Sequence, residues 1–136
     1  MLPLEITLLK FLAVGVTNTV VGMGVIYIAW HYWQLGDLVS NMLGYAVGII
    51  WSYSLNRQWT FRDTGSISRS FSRFALVCGV AYVLNLIVVF ATRHAMGPQS
   101  FLPHVFGNVI YTVTGYLGSR YFAFNSSQPV ADNGLR

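Results

Sequence analysis

The chain has 136 residues, of which 54% are hydrophobic and only 9% charged, with a mean hydropathy of +0.55. A water-soluble domain carries about 25% charged residues, and disorder requires low hydrophobicity with high charge, so both classes are excluded. One cysteine also excludes an intrachain disulfide and a thiolate metal cluster, which leaves a small integral membrane protein.

The net charge is +4, and the charges cluster along the chain. Uncharged windows of 26, 19, 19 and 26 residues lie between Lys10 and Asp37, Asp37 and Arg57, Arg73 and Arg93, and Arg93 and Arg120. A membrane-spanning helix needs about 20 mostly apolar residues. Four helices are expected, near Leu8–Tyr32, Leu38–Asn56, Phe74–Thr92 and Phe101–Ser119.

The first helix is too long for a signal-peptide core of about 7–15 residues, and no A-x-A-like site follows it. Trp30, His31, Tyr32 and Trp33 follow instead, a cluster suited to the membrane–water interface. The second helix leads into Arg57–Arg73, a segment with four arginines mixed with Trp59, Phe61 and Phe71. It reads as a solvated loop on anionic headgroups. Lys10, Arg57, Arg62, Arg69, Arg73, Arg120 and Arg136 fall at one set of helix ends, and only Arg93 at the other. The excess of positive charge marks the cytoplasmic side, so both termini are expected inside. Residues 125–136 read as a disordered cytoplasmic tail, and the glycosylation sequon at Asn125 falls on the wrong side to matter.

The two halves align at a constant offset of 63 residues. Lys10 and Phe11 fall on Arg73 and Phe74, Gly44 on Gly107, and Tyr53 on Tyr116. Asn56-Arg57-Gln58-Trp59-Thr60-Phe61 falls on Ser119-Arg120-Tyr121-Phe122-Ala123-Phe124, keeping the arginine and two following aromatics. Each repeat, at about 9–62 and 72–124, holds two helices. Both repeats therefore share one orientation and are related by an axis along the membrane normal. The expected architecture is an all-α integral membrane protein. Its four transmembrane helices form two parallel-repeat helical hairpins, N-in and C-in, within one domain at 1–124.

Two polar stripes follow helical spacing: Asn41, Tyr45, Gly48, Ser52, Asn56 and His104, Asn108, Tyr111, Gly115, Ser119. They read either as packing seams or as the wall of a polar groove. Asn18 and Asn85 lie deeper, where hydrocarbon offers no partner. Each is either an interhelical hydrogen bond or a ligand contact. Enzyme readings find no support. There is no paired carboxylate within a span and no nucleotide-binding loop. His31, His94 and His104 are scattered, and Cys78 sits in an apolar span where a thiol is inert. No cofactor, no metal and no nucleic-acid partner is expected.

Lys10-Phe-Leu-Ala-Val-Gly-Val-Thr-Asn18, the Asn56–Phe61 block, Arg73-Phe74 and Arg120–Phe124 together resemble the GtrA-like family of small four-helix membrane proteins. The resemblance covers most of Leu9–Phe124. It implies a role in cell-surface polysaccharide synthesis in the bacterial cytoplasmic membrane. The implied activity is translocation of a polyprenyl-phosphate-linked sugar, such as undecaprenyl-phosphate glucose, beside a membrane glycosyltransferase. One departure stands out: Ser119 occupies a position where the family often has a second asparagine.

Within that resemblance, Arg57 and Arg120 are candidate phosphate ligands, since the guanidinium fork grips phosphate oxygens bidentately. Taken singly, either reads as a snorkelling anchor. Asn18, Asn56, Asn85, Asn108 and Tyr45 are candidate partners for sugar hydroxyls. Trp59, with Phe61, Phe122 and Phe124, either flanks the tail and sugar or anchors the interface. Arg93 and His94 are the cations near the outer exit. No Asp or Glu lies in a span, which favours downhill exchange over proton coupling. The alternative is a non-transporting adaptor that positions the glycosyltransferase. Four thin helices enclose little space, so a homo-oligomer in the lipid bilayer is expected.

Overall fold

The computed structural model describes residues 3–125. The expected tail lies outside the described residues from position 126 onward, as do two residues of the sequon. Four α-helices make up the fold: α1 (Leu4–His31), α2 (Asp37–Leu55), α3 (Ile67–Met96) and α4 (Leu102–Gly118). A π turn, Asn56–Thr60, continues α2, and a second, Ser119–Ala123, continues α4. Among the described residues there is no strand.

Three helices are long and apolar enough to cross a membrane: Leu4–His31, Asp37–Thr60 and Ile67–Met96. Their outward residues are apolar, as with Leu9, Val16, Val20 and Met23 of α1. Water would penalise that surface, whereas lipid does not. α4 has 17 residues, about 26 Å at 1.5 Å per residue. It becomes long enough to span only with its π turn.

Contacts divide the chain into two compact units, Met1–Arg62 and Asp63–Arg136. In the first, α1 packs on α2 and on the first π turn; in the second, α3 packs on α4 and on the second π turn. The helix starts differ from expectation mainly at α3, which begins at Ile67 rather than Phe74. Arg57–Arg73 is therefore not a loop. Its two ends are helical, and only residues 61–66 connect them. Charge ends an apolar window but does not end a helix. The buried positions Ser70, Phe74, Val77 and Ala81 keep helical spacing straight through the arginines.

The expected stripes are split. On α2 the buried seam is Ser40, Gly44, Gly48 and Asn56, at multiples of four. Asn41 and Tyr45 are exposed. On α4 and its π turn, Pro103, Gly107 and Ser119 are buried 63 residues after Ser40, Gly44 and Asn56, with Gly115 and Tyr116 buried as well, while His104, Asn108 and Tyr111 are exposed. Rows at i±4 are one of the natural ridges of helix packing. The glycines admit close approach. A Cβ on Gly44 would strike the Ile26 side chain and come within 3.0 Å of Gly22 O. A Cβ on Gly107 would strike Asn85 and Val89.

Gly44→Ala and Gly107→Ala should each destabilise the fold by about 1–3 kcal/mol through overpacking. Gly15→Ala, whose Cβ would meet nothing within 4 Å, should cost nothing, because alanine is the better helix former. Thermal unfolding in detergent separates the two cases.

Candidate functional site

The helix exits carry the polar chemistry. A helix leaves its last carbonyls without intrahelical donors, and its C-terminus carries the negative end of the dipole. In the first unit Lys10 Nζ donates to Trp59 O at 3.4 Å and lies 5.1 Å from the Trp59 ring centre. In the second, Arg73 Nη1 donates to Phe122 O at 3.3 Å, with its guanidinium 5.0 Å from the Phe122 ring. Each exit is thus closed by a cation from the preceding helix, at the same register. Arg73 Nη1 also lies 3.4 Å from Asn125 Oδ1, which ties down a residue expected to open the disordered tail.

The π turns repeat as well. Phe61 N–H bonds Asn56 O at 2.8 Å, and Phe124 N–H bonds Ser119 O at 2.9 Å. Phe61 and Phe124 are buried against Phe11 and Phe74, with ring centres 6.3 and 5.7 Å apart. They are core residues, not interfacial anchors. Trp59 and Phe122 are the exposed aromatics of the pair.

Arg57 and Arg120 sit within these turns. Arg57 Nη1 donates to Tyr53 Oη at 3.0 Å, and Arg120 Nη1 to Tyr116 Oη at 3.1 Å. Tyr53 and Tyr116 are buried one turn earlier and orient the guanidinium groups. Arg57 is half-buried and Arg120 buried. Snorkelling into water does not describe Arg120, whose Cζ also lies 5.7 Å from the Tyr121 ring.

Asn56 is buried; its Nδ2 donates to Ser52 Oγ at 3.2 Å, while its Oδ1 has no donor. Thr60 Oγ1 and Ser119 Oγ are buried and unpaired too. Such groups cost about 1–3 kcal/mol each when left unmatched, so a polar partner at these turns would be favoured. Serine at 119 replaces the carboxamide by a shorter hydroxyl, so the two exits are not chemically identical.

Asn56, Arg57 and Trp59 share one turn. Asn18 lies elsewhere, on the seam, where its Oδ1 is buried without a donor and would lie 2.8 Å from a Cβ on Gly48. Asn85 packs on Gly107 in the second unit. Neither makes the interhelical hydrogen bond that depth suggests. In the first unit that bond runs from Trp51 Nε1 to Thr17 Oγ1 at 3.2 Å. Tyr45 and Asn108 face away from their paired helix and belong to neither exit. Lys10, Arg73, Tyr53 and Tyr116 are the helix-exit residues that sequence reasoning passed over. Their signal was present in the 63-residue alignment. Among the described residues no cluster of three or more His, Cys, Asp or Glu side chains is placed to hold a metal.

A family described as GtrA/DPMS, transmembrane domain, matches residues 10–124. The chain belongs to this family. The match starts at Lys10 and ends at Phe124, the outermost members of the two helix-exit sets. No curated protein matches the chain. The GtrA-like chain is accordingly an all-α membrane protein of a family linked to polyprenyl-phosphate sugars.

Lys10→Met and Arg73→Met should each cost about 0.3–1 kcal/mol, the usual size of a cation–dipole contact, whereas Lys10→Arg should be neutral. Amide exchange at Phe61 and Phe124, whose N–H groups close the π turns, should rise in the methionine variants only.

Proposed function

We propose that the chain moves a polyprenyl-phosphate-linked sugar between the leaflets of the bacterial cytoplasmic membrane. The observation that carries this reading is the repeated helix exit. Each exit presents an arginine fixed by a tyrosine hydroxyl inside a π turn with unmatched buried hydrogen-bonding groups. A guanidinium held in this way suits a phosphate, and π turns within α-helices recur at functional sites. The arginine distribution supports cytoplasmic termini and loading from the inner leaflet. Asn56 Oδ1 and Thr60 Oγ1 then accept from sugar hydroxyls, and Trp59 flanks the headgroup.

The path does not run through the seam within a hairpin. At Gly44, Gly48 and Gly107 the paired helices already stand too close for a Cβ. The exposed polar positions Tyr45 and Asn108, on the outward faces of their hairpins, suit a sliding headgroup better than Asn18 and Asn85 do. The isoprenoid tail stays in lipid throughout. Transfer runs downhill, drawn by use of the sugar outside, with a membrane glycosyltransferase supplying the substrate.

The same closed seams favour a second reading, in which the chain is an adaptor that positions the glycosyltransferase. A proteoliposome assay with purified protein and a labelled polyprenyl-phosphate sugar distinguishes the two. A flippase transfers the lipid between leaflets. Arg57→Ala should lower its rate roughly 10- to 100-fold, as for loss of a charged hydrogen bond of about 1.5–3 kcal/mol, with Arg57→Lys in between. Well-folded wild type that moves no lipid, with or without the glycosyltransferase, would establish the adaptor.

A further inference from the structure

At the other end of the second unit, Arg93 lies in the last turn of α3 and His104 in the first turn of α4. Arg93 Nη2 is 2.9 Å from His104 Nε2. A guanidinium carries donors only, so the imidazole nitrogen accepts and the ring proton sits on Nδ1. His104 is neutral in this arrangement, its ring 5.8 Å from that of Phe101. Arg93 is half-buried, and its Nε is fully buried with no hydrogen-bond partner. Among the described residues no carboxylate pairs with it. The α3 dipole offsets part of the charge. The cation nevertheless lacks a counter-anion, which is costly near hydrocarbon.

We propose that Arg93 and His104 form a binding site for a phosphate-type oxyanion at this end of the second unit. The terminal Nη1 and Nη2 form a fork that grips two oxygens of a tetrahedral anion, while the buried Nε leaves the charge unmatched on its inner side. In the empty state His104 occupies half of that fork with its lone pair. Protonation at Nε2 turns the ring from competitor into donor, directed at the same oxygens. Binding the anion therefore takes up one proton. On α3 and α4 the charged and titratable groups at this end are Arg93, His94 and His104, and the connection 97–101 carries none. The site stands whether or not the chain transports lipid, because it requires only binding.

The test uses the full chain with labelled histidine and arginine, observed by NMR in nanodiscs. Sulfate is the first probe, because its own charge stays constant between pH 5.5 and 7.5. In zwitterionic nanodiscs it should shift the His104 ring and Arg93 Nε resonances and leave His31 unmoved. Its affinity should rise as the pH falls from 7.5 to 5.5, because binding takes up a proton. Phosphatidylglycerol nanodiscs without sulfate form the second arm. The same shifts there assign the site to lipid headgroups, and shifts with sulfate alone assign it to a free anion. Arg93→Gln should abolish the response and Arg93→Lys should weaken it. His104→Gln should bind with no pH dependence. Resonances unmoved by either probe at pH 5.5, in protein that keeps its helical spectrum, would overturn the site. So would a wild-type affinity that ignores pH.

Discussion

Hydrocarbon supplies no hydrogen-bond donor, so the unfinished carbonyls at a helix end must find one within the protein or at the interface. Lys10 and Arg73 meet that demand. Each projects from the helix that precedes the exit, binds a terminal carbonyl, and covers the exposed aromatic beside it. The contact joins the start of one helix to the end of the next, and so fixes where the hairpin closes. The glycine seams continue the same constraint inward by letting the paired backbones approach. With the hairpin pinned at one end and close-packed along its length, the π turns hold Arg57 and Arg120 in one orientation.

Much of this was legible in the sequence. Uncharged windows located four helices, and the 63-residue offset paired Lys10 with Arg73, Tyr53 with Tyr116 and Arg57 with Arg120. Four features were not legible, each for a physical reason. Hydropathy reports where lipid ends rather than where a helix ends, so the first turns of α3 passed for a loop. A stripe at helical spacing does not say which side faces the partner. Tyr45 and Asn41 lie one position from the buried Gly44 and Ser40, a rotation of about 100°. A π turn inserts one residue without any marker in composition, and its presence is evident only in the i→i+5 bonds to Asn56 O and Ser119 O. The contact between Arg93 and His104 spans α3 and α4, and neither residue alone predicts it.

The two exits share a backbone but not a surface. The carboxamide of Asn56 has only a hydroxyl as its counterpart at Ser119, and Thr60 has only the methyl group of Ala123. The first exit therefore offers more acceptors for a hydroxylated partner, and the second holds its arginine deeper. For the substrate proposed above, equal geometry with unequal chemistry leaves one complete site rather than two.

The separation between cation and bonded carbonyl is 49 residues in both units. Lysine serves in one and arginine in the other, with tryptophan and phenylalanine beneath them. What this architecture specifies is a class of side chain at a fixed distance along the chain. Drift within a class leaves the exit intact, whereas inserting one residue within either paired helix would rotate the cation away from its carbonyl by about 100°. Identity at each exit is thus free to vary within a class, whereas spacing along the paired helices is not.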